Sequence, residues 1–568
     1  MIPDVNISGY AVLGSGGALN NSNPIYTWKD DFSWNLGRHS LKFGAEMINH
    51  RKGEISYSNE QGSFNFNGGG TGNGFADFLI GRAFNYTETD KDPGVEVGQW
   101  DNEFYVQDDI KVSSQLTLNA GIRYYLISGS NGGRASNDKI SAFVPWLYDP
   151  AKAPRQLSDG QLVPGTGDPL NGFIMGTDRR GLPIGPQLMK TNKDVFGPRV
   201  GFAYNLLSKT VIRGGYGINY FWGTANNVGR HLNRPFIDSV DILNTTLSNP
   251  TGGVGRVFPP SVNSLDIYNR QPSVQSWSFT IQREIVANTS LEIGYAGTRG
   301  THLPRGIQLN QANPASTVNA NLRRPYLGYG TISYNENSAV SKYHGLEVSY
   351  VRRFTSGLML ESSYTFSKGL GHPEGNPLDS RNKDLDFGLL TLDRPHMFTL
   401  NYVWEFPVFK NRKDALAKVF GGWQLSGIAS SQSGLPINIT QAGDVANFGG
   451  GTGGQRPDIV GDPNQGRGQS LSRYFNTDAF RAVTGTGRIG TSPFNPIHGP
   501  GVFNFDMSLY KVIRFTEKMR LQTGIETFNT FNHPQFEAVG SQLATATYGM
   551  VTDARDPRVI QLRAKISF

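Results

Sequence analysis

Residues 558–568 read RVIQLRAKISF. Ile560, Leu562, Ala564, Ile566 and Phe568 alternate with Gln561, Arg563, Lys565 and Ser567. Successive side chains on a strand point to opposite faces, so the stretch is predicted to be a strand with one apolar and one polar face. The chain stops on an aromatic ring. A soluble domain has no evident need to finish that way.

The same period recurs along the chain. Residues 115–126, QLTLNAGIRYYL, place Leu116, Leu118, Ala120 and Ile122 opposite Thr117, Asn119 and Arg123. In VQSWSFTIQREIV (274–286), Trp277, Phe279, Ile281 and Ile285 oppose Ser278, Thr280, Gln282 and Glu284. HMFTLNYVWEF (396–406) and FNFDMSLYK (503–511) read alike, with Phe503, Phe505, Met507 and Leu509 against Asn504, Asp506, Ser508 and Tyr510. We count about 15 or 16 such segments of roughly 9–12 residues, the length a tilted strand needs to cross a bilayer.

Their connections alternate in length. Short ones lie at 35–39, 112–115, 206–209, 286–289, 354–357 and 514–518. Long ones, rich in Gly, Asn, Pro, Asp and Ser, cover roughly 127–197, 222–273, 298–342, 368–394, 440–502 and 529–557. A β-sandwich gives turns every 8–12 residues without this asymmetry. An antiparallel transmembrane β-barrel requires it, with short periplasmic turns and long extracellular loops. The closing strand then meets lipid on one face, and Phe568 sits at the interface, where aromatic rings are favoured.

Composition agrees with an all-β chain. There are 70 Gly, 34 Phe, 23 Tyr and 8 Trp, which suits strands and turns. No run of about 18 apolar residues occurs, so no transmembrane helix is indicated. The stretch 414–420, DALAKVF, has the best helical periodicity and is short. With no cysteine, disulfides, zinc–thiolate sites and thiol nucleophiles are excluded. The net charge of +7 is spread along the chain, which fits lipid headgroups better than nucleic acid. The start, MIPDVNISGYAVLGSGG, lacks a basic segment followed by an apolar one and is not read as a signal peptide.

An ordered set of longer motifs resembles the Oar-like TonB-dependent receptors, large outer-membrane barrels common in Acidobacteria. It includes DDFSWNLGRHSLKFGAE (30–46), FYVQDDIKVSSQLTLNAGIRY (104–124), GPRVGFAYN (197–205) with KTVIRGGYGINYF (209–221), and QSWSFTIQREI (275–285). It continues with YHGLEVSYVRRFTSGLMLESSYTFSK (343–368), DRPHMFTLNYVWEFP (393–407), GGWQLSGIASSQSGLPINI (421–439), GPGVFNFDMSLYKVIRF (499–515) and ETFNTFNHPQF (526–536). The resemblance implies a barrel of about 22 strands, of which residues 1–568 form the C-terminal part. It implies a signal peptide, a regulatory-like domain and a plug elsewhere, and coupling to the TonB complex through that plug. It also implies that Phe568 and Ile566 carry the signal read by the barrel-assembly machinery.

Other chemistry is weakly indicated. GTGRIG (485–490) fits G-x-G-x-x-G, but no βαβ unit surrounds it; GGGTGNG (68–74) and GGGTGG (449–454) lack the G-K-[ST] of a P-loop. The histidines form no H-x-x-x-H or H-E-x-x-H, so no metal site is expected. Asp30–Asp31 and Asp108–Asp109 read as lumen or rim charge, and DRPH (393–396) and FNHP (531–534) as turn-holding motifs. No G-x-S-x-G occurs. The expectation is therefore an outer-membrane receptor barrel of a Gram-negative bacterium, not an enzyme, without cofactor, taking up a bulky ligand of unknown identity. Arg123, Gln282, Arg563 and Lys565 are expected to face the lumen. The alternatives are a passive porin or surface adhesin and, less favoured, a secreted all-β binding protein.

Overall fold

In the computed structural model the described residues are 3–14, 19–56, 60–90, 95–128, 131–132, 139–185, 187–221, 232–255, 257–315, 317–373, 375–408, 414–449, 454–468, 470–485, 487–516 and 519–568. Residues 450–453 of the GGGTGG stretch, residue 486 of GTGRIG and residues 517–518 of the last short turn lie outside them.

Alternating segments become long strands: β1 Ile25–Leu36, β2 His39–Ser56, β3 Val95–Lys111, β4 Leu116–Ile127, β5 Val195–Leu207, β6 Thr210–Tyr220, β7 Ser273–Val286 and β8 Thr289–Gln308. They continue as β9 Ile332–Thr355, β10 Leu358–Gly371, β11 His396–Glu405, β12 Trp423–Gln432, β13 Val502–Arg514, β14 Arg520–Phe528 and β15 Val559–Ser567. Each pairs antiparallel with the next, from β1–β2 through β14–β15. Four short strands join them in one 19-stranded sheet. Among the described residues no ladder joins β1 to β15.

Every second connection is long, so all the long connections emerge on one side of the sheet. Most of those on the other side are tight. Residue 37 is a glycine at φ +60° between β1 and β2, and Asn288 takes φ +63° between β7 and β8, as short hairpin turns demand. The connection from β11 to β12 is longer and carries α1, Ala415–Phe420, within the stretch with the best helical periodicity.

The hairpin β8–β9 departs from the expected boundaries. Residues 298–342 read as a loop, yet the ladder continues from Thr298↔Tyr343 to Gln308↔Ser333, with irregularities around Leu303 and Pro304. Bulges let a ladder absorb such residues and continue. The far end is worth pairing because Ile307, Ile332 and Tyr334 enter a buried aromatic cluster with Phe143, Phe173 and Tyr329.

Glycines inside strands have a packing reason. A Cβ on Gly44 would lie 2.1 Å from Cε1 of Tyr105 and 2.5 Å from Oδ1 of Asp31. A Cβ on Gly297 would lie 2.4 Å from Cε2 of Trp277. Each aromatic ring lies across the bare backbone of its cross-strand glycine, a way to restore packing that glycine lacks. Gly44→Val is expected to push Tyr105 off Asp31 and destabilise the sheet by about 1–3 kcal/mol, as overpacking does. Urea titration of the folded protein in lipid vesicles checks this, with Gly255→Ala, whose Cβ would meet nothing within 4 Å, as the neutral control.

Candidate functional site: the polar face and the folded connections

The ladder register sorts side chains into two faces. On one, Arg123 Nη1 lies 2.5 Å from Glu103 and 4.0 Å from Glu46, with its guanidinium 4.9 Å from the Tyr105 ring centre. Tyr105 donates its hydroxyl to Asp31 at 2.7 Å. Asp109 accepts from Lys42, Gln107 and Asn119 at 2.9, 3.0 and 2.6 Å. These bonds tie β1 to β4 by side chains as well as by backbone. Gln282 stands across from Val211 and Glu292. On the last strand Arg563 approaches Glu526 at 3.3 Å and lies over the Tyr510 ring at 5.8 Å, while Tyr510 donates to Glu526. Lys565 stands opposite Gln522 on that side, and Ile566 and Phe568 stand on the other.

The opposite face is apolar and exposed. Phe104, Leu118, Ile122, Val200, Phe279, Ile281, Ile293, Leu346 and Phe366 all project outward, and Phe568 is 96% exposed. By contrast Arg123 and Gln282 are half-buried. This inverts the soluble-protein rule, and a contiguous apolar surface of this extent marks an interaction with something apolar. Aromatic groups gather at its margins. Trp28 stacks on Trp100 at 5.7 Å, and the Tyr295 and Tyr364 hydroxyls bond Nδ1 of His344 and His396 at 2.6 and 2.8 Å, toward the long connections. Trp404 packs edge-on against Phe406 at the other margin, where Lys511 lies 5.0 Å from the Trp423 ring centre. His39 and Asp108 pair at 2.6 Å beside the first short turn. So Asp31 and Asp109 stand on the polar face, whereas Asp108 belongs to a rim pair.

The long connections are themselves folded. One layer buries Ile140, Ala142, Val144, Ile174 and Leu188, another Ile439, Phe475, Ala479, Phe480 and Ile497. A separate five-stranded sheet, containing Asp4–Ile7, Ser63–Phe66, Arg82–Thr89, Ser239–Thr246 and Val254–Gly255, packs Ile7, Phe64, Phe66 and Tyr86 together. The sequence-recognised motifs hold turns here. Asp393 accepts from the Gly369 amide at 2.6 Å and pairs with His498 at 2.9 Å. The side chain of Asn529 clamps both the N–H and the C=O of His533, at 2.9 and 3.0 Å. In GTGRIG, Arg488 forks onto Asp458 at 2.8 and 2.6 Å and holds its carboxyl below the usual carboxylate range. The segment is a loop brace.

One charged group stands out for burial. Asp386 lies between Arg305, on the end of β8, and Arg456, at 3.6 and 3.2 Å. Leu378 N–H also donates to Asp386 at 2.9 Å, and Arg456 donates to the Leu385 carbonyl at 3.0 Å. Three residues this distant in sequence leave no local signature. Nearby, burial, and then the charge of Arg305, hold the His372 imidazole below its ordinary pKa. Among the described residues no three His, Cys, Asp or Glu side chains are grouped to hold a metal ion.

The family model for the outer membrane beta barrel domain matches residues 1–561. The chain belongs to that family. This outer membrane β-barrel domain is also similar to solved structures. It is 13% identical to the outer membrane transporter YddB from Escherichia coli, with a TM-score of 0.54, covering 100% of this chain and 57% of that one. It is 10% identical to the siderophore receptor PirA from Acinetobacter baumannii (TM-score 0.46; 100% and 58% covered) and 12% identical to the ferripyoverdine receptor of Pseudomonas aeruginosa (TM-score 0.44; 97% and 48% covered). The barrel domain thus spans about half the length of the structures it matches. No curated protein matches it.

Proposed function

We propose that the chain forms wall of an Oar-like TonB-dependent outer-membrane transporter and that the folded long connections receive a bulky ligand. The observation that carries this is the opposition of two faces along one continuous ladder: exposed apolar residues on one side, hydrogen-bonded charges on the other. The apolar face meets lipid. The polar face, with Arg123, Gln282, Arg563 and Lys565, lines the lumen. Residues 1–568 act as one barrel domain, the unladdered margins of β1 and β15 receive further strands, and a plug supplied outside these residues couples transport to the TonB complex. Phe568 and Ile566 present the assembly signal to the barrel-assembly machinery.

Two experiments test this reading. The chain has no cysteine, so single cysteines report cleanly. In outer membranes, Ser278→Cys is expected to react with a water-soluble maleimide and Phe279→Cys only with a lipid-soluble one; equal reaction of both with the aqueous reagent would refute the two-face assignment. For transport, deleting the gene should abolish accumulation of one class of bulky ligand, and collapsing the proton-motive force should do the same. Uptake indifferent to that force would mean a passive pore.

A further inference from the structure

We propose that the free edge of β1 is paired by an ascending strand of the same receptor with an arginine or lysine on its outward face. Asp30 pairs with that cation and fixes the register of the strand. The inference rests on the reading above that this margin receives a further strand.

Asp30 reads in the sequence as lumen or rim charge, and the register places it elsewhere. It stands opposite Ala45, which stands opposite Phe104. Residues directly paired in a ladder share a face, so Asp30 lies on the apolar outward face with Trp28 and Phe32. Asp31, opposite Gly44 and Tyr105, lies on the polar one. β1 runs from Ile25 to Leu36, and Asp30 is near its middle. At about 2.3 Å of depth per residue, it lies about 14 Å from the turn end of the strand, within an apolar band about 25 Å tall. The outward residues Phe43 and Met47 of β2 and Leu118, Ala120 and Ile122 of β4 carry no charge. Asp108, on the same face beside its turn, has His39 at 2.6 Å. Among the described residues no hydrogen bond or ion pair reaches the Asp30 carboxylate.

A carboxylate is costly in hydrocarbon unless it is paired. β2 offers Asp30 only the methyl group of Ala45. The other side of β1 has no ladder among the described residues. A strand there brings its directly opposed side chain to about 5 Å and its diagonal ones within reach of a long basic side chain. Slippage by two residues would keep every apolar side chain outward yet leave Asp30 facing an apolar neighbour, so the ion pair selects one register. The edge of β15 supplies the contrast, because its outward residues Ile560, Leu562, Ala564 and Ile566 carry no charge.

Direction narrows the partner. β1 leads into the short turn at 37–38, and β15 follows the long connection at 529–558, so both free edges descend from the side of the long connections. Two copies inserted in one membrane share an orientation and could offer each other only parallel edges. The antiparallel order of a membrane barrel therefore calls for an ascending strand and not a second copy.

The test uses the full chain folded in detergent and synthetic strand peptides of about ten residues, alternating apolar and polar. The central apolar position holds arginine, leucine or glutamate. Each peptide carries one cysteine on its polar face, and the cysteine-free chain receives Ser33→Cys on β1 or Gln561→Cys on β15. Disulfide capture on β1 is expected to favour the arginine peptide at least tenfold over the leucine peptide. Asp30→Lys is expected to transfer that preference to the glutamate peptide, and capture on β15 should show no preference for arginine. Heat-modifiable gel mobility verifies that each variant is folded. Equal capture of the arginine and leucine peptides on β1 overturns the proposal while leaving the strand-receiving reading intact. An arginine preference that survives Asp30→Lys, or one of equal size on β15, does the same. Capture of no peptide on either edge overturns both. A disulfide between two copies of the Ser33→Cys chain that Asp30→Lys abolishes puts a second copy at the edge and also overturns the proposal.

Discussion

Phe279→Arg is expected to destabilise the folded protein by roughly 2–4 kcal/mol, while Ser278→Arg, one residue away, costs far less. The cost arises because an arginine on the lipid side must snorkel or drag water into hydrocarbon, whereas one on the lumen side stays hydrated. Depth refines the prediction. A strand tilted by about 45° gains about 2.3 Å of depth per residue. Phe279 lies near mid-strand, as does Ile122, so both should show the full effect. Leu118 lies close to the turn at 112–115, so Leu118→Arg should cost less than Ile122→Arg, although both stand on the apolar face. Urea titration in lipid vesicles, followed by tryptophan fluorescence, measures all four. Equal losses for Phe279→Arg and Ser278→Arg would sink the assignment of faces.

Asp386→Ala is expected to be the most damaging change outside the membrane, at roughly 3–5 kcal/mol, because it leaves two buried guanidiniums without their carboxylate. The loss should be local. Hydrogen exchange should speed up around Leu378, whose amide Asp386 accepts, and around Arg456, while the ladder from β1 to β4 keeps its protection. A triple apolar variant, Arg305→Met with Asp386→Leu and Arg456→Met, should recover most of the stability, since replacing a whole buried ion cluster is far cheaper than breaking it. Exposed Arg488→Gln, which also removes a salt bridge in these connections, should change exchange little. If Asp386→Ala proves as mild as Arg488→Gln, the cluster is not holding the layer together.

Much of the wall was legible because barrel strands advertise themselves by a strict period. Phe503, Phe505, Met507 and Leu509 alternate with Asn504, Asp506, Ser508 and Tyr510, and the register places each set on one face. The connections were legible as an alternation of lengths but not as structure. Their cores draw on residues far apart in the chain: Phe143 meets Tyr326 and Tyr329 across more than a hundred residues, and no local pattern encodes that meeting. The same holds for Arg305, Asp386 and Arg456. The end of β8 was misread for a related reason. Pro304 and Gly306 look like loop residues locally, and only the partner strand, with Ile307 opposite Tyr334, makes the extended conformation worthwhile.

That extended hairpin has a mechanical consequence. Between Thr289 and Gln308 the same paired ribbon serves first as wall and then as part of the outer layer, interrupted by bulges around Leu303 rather than by a flexible joint. Whatever tilts the ribbon at its tip, beside Tyr329 and Tyr334, acts on a lever whose other arm is packed among neighbouring strands. A load applied at its tip would therefore reach the wall as torque, because the ladder offers no slack tether to absorb it.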